Sequence, residues 1–305
     1  MKLFEKINRW RKRPQDLFLG LVMSTCRLWP DTLYLKCLVR FKAGYWPNLR
    51  TPKTYDEKLH WLKMYDHNPD YTTMVDKIAA KEYVAGIIGN EYIIPTLKVY
   101  ESIDEINLDE LPDRFVLKTN NGSANNGVVV CKNKSSFDLK SAKKILQDSL
   151  RHEKYWLSRE WPYKNIVPKI FAEQYMEDPA GDLQDFKFFC FDGVVRALFV
   201  GSERSTGDVK FDYYDADFNH LDIIQEHPMS GHEIEKPKGF ELMKEIASKL
   251  SLGIPHVRVD LYNIEGNIYF GELTFYHHGG IVKFTPKEWD YTFGSWISLP
   301  PPKIT

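Results

Sequence analysis

The chain has 305 residues, is 43% apolar and 14% aromatic, and carries a formal net charge of −1. That length and apolar share suffice for a sizeable core in one large or two smaller domains, and the balanced charge supplies no basic field for nucleic acid, which excludes it as a partner. Cys26, Cys37, Cys131 and Cys190 are far apart and lack metal-ligand spacing, so neither a zinc site nor a disulfide framework is implied and reduced thiols in a cytoplasm are expected.

The N-terminus sets Lys2, Lys6, Arg9, Arg11, Lys12 and Arg13 against a single acid, Glu5, ahead of the apolar stretch Leu17 to Met23. Asp16 interrupts the approach, Arg27 and Asp31 follow soon after, and no small-residue cleavage site is clear, so neither export nor membrane spanning is expected. The segment reads as a helix packing on the body, and peripheral contact with an anionic membrane is the sharper alternative. Thr54 is an N-cap for a helix that buries Leu59 and Leu62, and a second helix is expected from Thr73 through Val84, ending before Gly86 or Gly89.

From there the pattern turns to strands. Ile93 to Pro95 and Phe115 to Lys118 are short apolar runs, the second followed by the loop Asn120 to Gly127 and a returning strand, Val128 to Cys131. Glycines and small polar residues let backbone N–H groups approach phosphate oxygens, and Lys118 at the base adds a point cation, although a polar surface hairpin has the same composition. The loop is neither a Walker loop nor a dinucleotide fingerprint, because no Gly-Lys-Ser/Thr follows and it returns into a strand. A helix is predicted over Asp138 to Trp156, then strands over Ile170 to Met176, Phe186 to Phe191 and, after an Asp192-Gly193 hairpin turn, Val194 to Val200. Phe240, Met243, Ile246, Ala247 and Leu250 recur at helical spacing before Gly253, and a last hairpin runs from Val257 to Phe275.

That hairpin carries chemistry. Alternation sends Arg258, Asp260 and Tyr262 to one face, and Phe270, Glu272 and Thr274 share a face of the partner strand. A three-residue loop, Ile264 to Gly266, puts Arg258 opposite Glu272 with Asp260 diagonal to it, whereas a two-residue loop puts the two polar rows on opposite faces. Two carboxylates beside a guanidinium can share a divalent ion with a nucleotide's phosphates; the alternative is an ordinary exposed ion pair.

The order of Asp76-Lys77, Lys118 with its Gly122 to Gly127 loop, Glu173-Gln174-Tyr175-Met176, Asp185-Phe186-Lys187, Arg258-x-Asp260 and Glu272-x-Thr274 resembles the ATP-grasp superfamily. Phe186 to Gly193 and Phe270 to Tyr276 look, more narrowly, like the TupA-like ATP-grasp proteins of bacterial polysaccharide and teichuronopeptide gene clusters, over most of residues 50 to 300. The resemblance implies an α+β ATP-grasp fold: an N-terminal helical region (1–68), an N-terminal part with the flap (69–165) and a C-terminal part with the metal-binding hairpin (166–305). Two α/β subdomains would clamp the nucleotide. It makes Lys77 and Lys118 phosphate-contacting lysines, Gly122 to Gly127 the flap, and Glu173, Tyr175 and Met176 the adenine and ribose contacts. By the same resemblance Asp185 or Lys187 would reach the nucleotide from the next strand, Lys187 being grouped with Arg258 as catalytic. It also implies that Asp260 and Glu272 would hold Mg2+, with Thr274 where the superfamily usually has Asn, a poorer ligand that leaves a second metal open.

The implied reaction is phosphoryl transfer from ATP to a carboxylate, giving an acylphosphate that an amine attacks. The carboxylate is expected on a uronic acid or amino acid of a surface polymer, with a saccharide or lipid-linked polysaccharide precursor as partner. Tyr276 to Gly280 either places an imidazole beside the acceptor as a general base or forms a polar loop. The rivals are a sugar kinase on the same nucleotide site and a glycosyltransferase using Asp215-Ala216-Asp217, which is equally an acidic turn.

Overall fold

The computed structural model of the chain describes residues 14–122, 126–179, 183–203 and 207–302. The basic residues Lys2 to Arg13 and the loop centre Ser123 to Asn125 lie outside them.

Two antiparallel sheets organise the fold. β1 (Thr96–Tyr100), β2 (Phe115–Thr119), β3 (Val128–Cys131) and β4 (Ile170–Gln174) pair in the order β1-β4-β2-β3. β5 (Asp185–Phe191), β6 (Val194–Ser202), β7 (Lys210–Asp215), β8 (His220–Leu221), β9 (Val257–Ile264) and β10 (Asn267–Thr274) form the larger sheet, ordered β10-β9-β5-β6-β7-β8. All seven residues of β5 are buried, because both of its faces are covered. On one face Phe188 meets Phe240 at 6.0 Å; on the other Phe189 meets Tyr55 at 6.3 Å and Phe293 at 5.1 Å. Asp192 and Gly193, both at positive φ, make the two-residue turn that their residue types predict.

The helices follow the apolar spacing but break where polar residues have other work. α1 (Pro14–Ser24) and α2 (Asp31–Lys42) form an N-terminal layer in which Val22 is buried while Leu17, Phe18 and Leu21 are exposed. α3 (Tyr55–Tyr65) starts at a full capping box: the Thr54 hydroxyl accepts from the Glu57 N–H, and the Glu57 carboxylate accepts from the Thr54 N–H. The single helix expected from Thr73 to Val84 is two, α4 (Asp70–Val75) and α5 (Ala79–Ile88). Asp76 ends the first and caps the second by accepting from the N–H groups of Ile78 and Ala79, which leaves Lys77 in the break. The helix expected over Asp138 to Trp156 likewise divides into α6 (Leu139–Leu150) and α7 (Lys154–Ser158). Ile93 forms only an isolated bridge to Phe270, and the strand begins after Pro95. α8 (Phe240–Ser251) and α9 (Glu288–Trp296) complete the helices on the larger sheet.

The expected boundary at 165/166 falls just before β4, an inner strand of the four-stranded sheet, so that sheet draws on both sides of it. Among the described residues no helix is long and apolar enough to cross a membrane.

Candidate active site

The loop between β9 and β10 is two residues, Glu265 and Gly266, not the three that the converging arrangement required. By simple alternation Asp260 and Glu272 would then lie on opposite faces. A bulge at Gly271 restores them: beyond it Glu272 pairs with Asp260 and Thr274 with Arg258. Gly271 suits this position, since a Cβ there would lie 3.0 Å from the carbonyl oxygen of Asp260.

β5 extends the same face, with Lys187 beside Asp260 and Phe189 beside Arg258. The Arg258 guanidinium donates from Nε to Asp260 Oδ1 and from Nη2 to Asp260 Oδ2, each at 2.7 Å, and reaches Thr274 Oγ1 at 3.1 Å and Glu272 Oε1 at 3.4 Å. Lys187 bridges Asp260 and Asp185, the latter at 2.7 Å. Lys77 arrives from the α4–α5 break, 3.6 Å from Glu272 Oε2, and its own N–H donates to Asn120 O at the end of β2. Asp185, Lys187, Arg258, Asp260, Glu272, Thr274 and Lys77 are thus one cluster, with acids and cations interleaved.

The electrostatics follow from that interleaving. Burial alone would raise the Glu272 carboxyl, but Lys77, Lys187, Arg258 and Lys154 outweigh it and hold it far below the ordinary carboxylate range. Burial raises the Asp260 carboxyl against the pull of Arg258 and Lys187. Burial also lowers the Lys77 ammonium, opposed first by Glu272.

Glu173, on β4, centres a second group. It pairs with Lys118 and, at 2.6 Å, with Lys81, and these two cations overcome burial to lower its carboxyl. Tyr175 and Met176 lie half-buried past the end of β4, with the Arg114 guanidinium 5.2 Å from the Tyr175 ring centre. Gly122 and Gly127 are buried, and each has a packing reason. A Cβ on Gly127 would sit 2.2 Å from Ser149 Oγ and 2.3 Å from Thr119 Oγ1, and one on Gly122 would sit 2.5 Å from Asn126 O.

Sequence reasoning missed Lys81, Asn120, Lys154 and Glu160. Asn120 ties the end of β2 to Asp76 through Nδ2 at 2.8 Å and to the N–H of Lys169 through Oδ1 at 2.7 Å. Lys154 pairs with Glu160 at 2.9 Å and sits 3.8 Å from the Tyr163 ring centre. Their only sequence signal was a polar residue at the edge of an element, which many surface residues share.

His277 is not an exposed loop residue. Arg258 can only donate, so its Nη1 donates to His277 Nδ1 at 2.7 Å, and His277 Nε2 then donates to Gln225 Oε1 at 2.8 Å. Burial holds this imidazole well below its usual range, so it positions Arg258 as a neutral ring. The Asp215-Ala216-Asp217 triplet is a turn: Asp215 accepts from the N–H groups of Asp217 and Asn219, its hydrogen bonds absorbed locally.

The residues expected at Mg2+ fit unevenly. Glu272 Oε2 has only the loose 3.6 Å contact with Lys77, and Thr274 Oγ1 is 3.3 Å from Glu272 Oε1, so this pair can offer oxygens to a hard cation. Both oxygens of Asp260 already accept from Arg258 or Lys187.

Residues 57–298 match the family model described as TupA-like ATPgrasp. No curated protein matches the chain. Among solved structures it is similar to D-alanine–D-alanine ligase from Helicobacter pylori, at 17% identity and a TM-score of 0.38, covering 74% of this chain and 61% of that one. The corresponding ligase from Bacillus anthracis complexed with ATP matches at 14% and 0.38, covering 67% and 54%. The ATP-grasp ligase PsnB complexed with its minimal precursor matches at 12% and 0.36, covering 80% and 60%. The chain therefore spans about three-fifths of the length of these proteins, and the family match carries the assignment.

Proposed function

The chain belongs to the TupA-like ATP-grasp family, and from that premise we propose an ATP-dependent carboxylate–amine ligase that acts through an acylphosphate. Its carboxylate is proposed to be a uronic acid or amino acid of a bacterial surface polysaccharide, met as a saccharide or lipid-linked precursor. It would work in the cytoplasm, and peripheral membrane contact through the basic N-terminus is the alternative to a helix that packs on the body. The observation that carries the reading is the convergence of Lys77, Lys187 and Arg258 on Asp185, Asp260 and Glu272 where the end of β2 meets the β9–β10 hairpin.

In the proposed reaction a carboxylate oxygen attacks the γ-phosphorus, the new C–O–P linkage forms, and ADP leaves with the bridging oxygen. The amine then adds to the acyl carbon, the amide C–N bond forms, and phosphate departs. The protein's part is positioning and charge. Arg258, oriented by Asp260, Thr274 and His277, faces the transferring group with its direction fixed in advance, and Lys77 and Lys118 offset charge on the other phosphates. Glu173 holds Lys118, its backbone lies by the proposed adenine and ribose contacts Tyr175 and Met176, and Asp185 holds Lys187. Glu272 and Thr274 would hold Mg2+, with Asp260 joining if it exchanges a cation contact, and the ion would neutralise phosphate charge. Closure of the segment between Gly122 and Gly127 would keep water from the acylphosphate.

The test is incubation with ATP, magnesium and a panel of uronic and amino acids with simple amines, reading ADP and trapping acylphosphate with hydroxylamine. Carboxylate-dependent ADP release with hydroxamate formation is expected. ADP release stimulated by a neutral sugar without hydroxamate would make the enzyme a kinase, and UDP release from UDP-sugars would make it a glycosyltransferase.

A further inference from the structure

Two lysines share the carboxylate of Glu173, and they are held very differently. Lys81 lies in the first turn of α5, and its ammonium meets Glu173 Oε1 at 2.6 Å, the Ile94 carbonyl at 2.7 Å and Thr96 Oγ1 at 3.0 Å. An ammonium has three protons, so all of them are committed, two to the segment that enters β1. Lys118 takes Glu173 Oε2 and has no other partner among the described residues. Its side chain is 20% exposed, near the end of β2 and two residues before Asn120, whose carbonyl accepts the Lys77 N–H. One cation is anchored at three points and the other at one.

The inequality matters because the Glu173 side chain is only 6% exposed. A buried carboxylate stripped of its partner is strongly disfavoured. Were Lys118 its sole cation, turning Lys118 toward a phosphate would leave that bare carboxylate beside an incoming polyanion. With Lys81 fixed on Oε1 the carboxylate stays paired. Burial lowers the Lys81 ammonium, Glu173 opposes this, and Lys118 lowers it further, because two cations on one carboxylate repel each other. That repulsion favours the departure of the cation with fewer anchors.

We infer that Lys81 is a positioning residue for nucleotide binding: it is the resident counter-ion of Glu173, and it lets Lys118 pass from that carboxylate to the nucleotide's phosphates. The inference rests on the reading of Lys118 as a phosphate contact. Lys81 itself stays behind, since each of its protons already has an acceptor. In the empty site Lys118 is parked on Glu173; in the loaded site the phosphates take it and Lys81 alone balances the carboxylate. The break at Asp76 serves both ends of this arrangement, because it presents Lys77 to Glu272 and starts the helix that carries Lys81 to Glu173.

Calorimetric titration of AMPPNP with magnesium into the full chain tests this. Lys81→Met and Lys81→Gln should each weaken binding about tenfold or more, whereas Lys81→Arg, which keeps a charge on Glu173, should stay within about threefold of the native chain. Lys81→Gln retains a donor for the Ile94 carbonyl, so its loss reads the charge and not the fold. In a Glu173→Gln background no carboxylate holds Lys118, and adding Lys81→Met there should cost less than about threefold. A lysine that only braced β1, or that touched phosphate directly, would cost as much in that background as in the native one. Native affinity in both Lys81→Met and Lys81→Gln, or an equal loss with and without the Glu173 charge, would overturn the inference. Lys118→Ala, titrated alongside, reads the premise separately. Weakened binding in Lys118→Ala with none in the Lys81 variants would strike this inference alone, and unchanged binding in Lys118→Ala would remove the phosphate role of Lys118 and this inference with it.

Discussion

At the scale of single residues, the two acids of the hairpin differ in what they do. Asp260 gives both oxygens to Arg258 and Lys187 and is 1% exposed, whereas the Glu272 side chain is 31% exposed and has an oxygen free of close contacts. Asp260→Asn leaves two buried cations short of a partner, so it should cost about 3–5 kcal/mol of stability as well as ADP formation. Glu272→Gln should lower ADP formation by roughly 10²-fold or more, with a raised magnesium requirement, and should lower the melting temperature by less than Asp260→Asn does, because its half-exposed carboxylate is screened while Lys77, Lys187 and Arg258 lose the charge they favour. Turnover against magnesium and thermal melts of both variants check the division; unchanged turnover in both would remove the metal assignment. His277 shows why residue type alone was a poor guide. Its ring is ordered by what its neighbours can donate, and no spacing rule contains that.

At the scale of elements, the outcome hangs on Gly271. The Glu265-Gly266 turn gives a two-residue loop, and the convergence of Asp260 with Glu272 depends on one unpaired residue in β10. Gly271→Val would press a branched side chain against the Asp260 carbonyl and the Tyr262 ring, 3.0 and 3.3 Å from the new Cβ. The expected result is a loss of about 1–3 kcal/mol and of ADP formation together, measured by denaturant melts and by turnover. Wild-type activity in a stable variant would show that the bulge does not set the pairing. The breaks between α4 and α5 and between α6 and α7 carry the same lesson. Apolar periodicity ran through both, yet Asp76 uses its carboxylate on two backbone N–H groups and so delivers Lys77 to Glu272.

At the scale of the whole molecule, buried neutral histidines set the response to acid. His256 sits between the Cys190 carbonyl, which its Nδ1–H must donate to, and the Tyr55 hydroxyl, and burial, with Arg258 nearby, holds it from 6.5 down to about 3. The unfolded chain therefore binds a proton between about pH 6.5 and 3 that the folded chain refuses. Its stabilising effect is complete above 6.5 and is lost as pH falls to 3, roughly 4–5 kcal/mol in all. His60 and His277, also held well below their usual range chiefly by burial, add in the same direction. Melting temperature should fall steeply from about pH 7 to about pH 4.5, and a flat profile would refute the neutral assignment. The sequence by itself determined the Thr54 cap, the Asp192-Gly193 turn and the apolar faces of α3 and α8, because caps, turns and periodicity are local chemistry, while the α+β class came with the family resemblance that the order of motifs carries. Only the tertiary structure decided that Asp260 and Glu272 face one another, that Glu173 joins Lys118 to Lys81, and that His277 serves Arg258. Each of those pairs residues distant along the chain or depends on a bulge, and a local pattern records neither register nor which buried donor needs an acceptor.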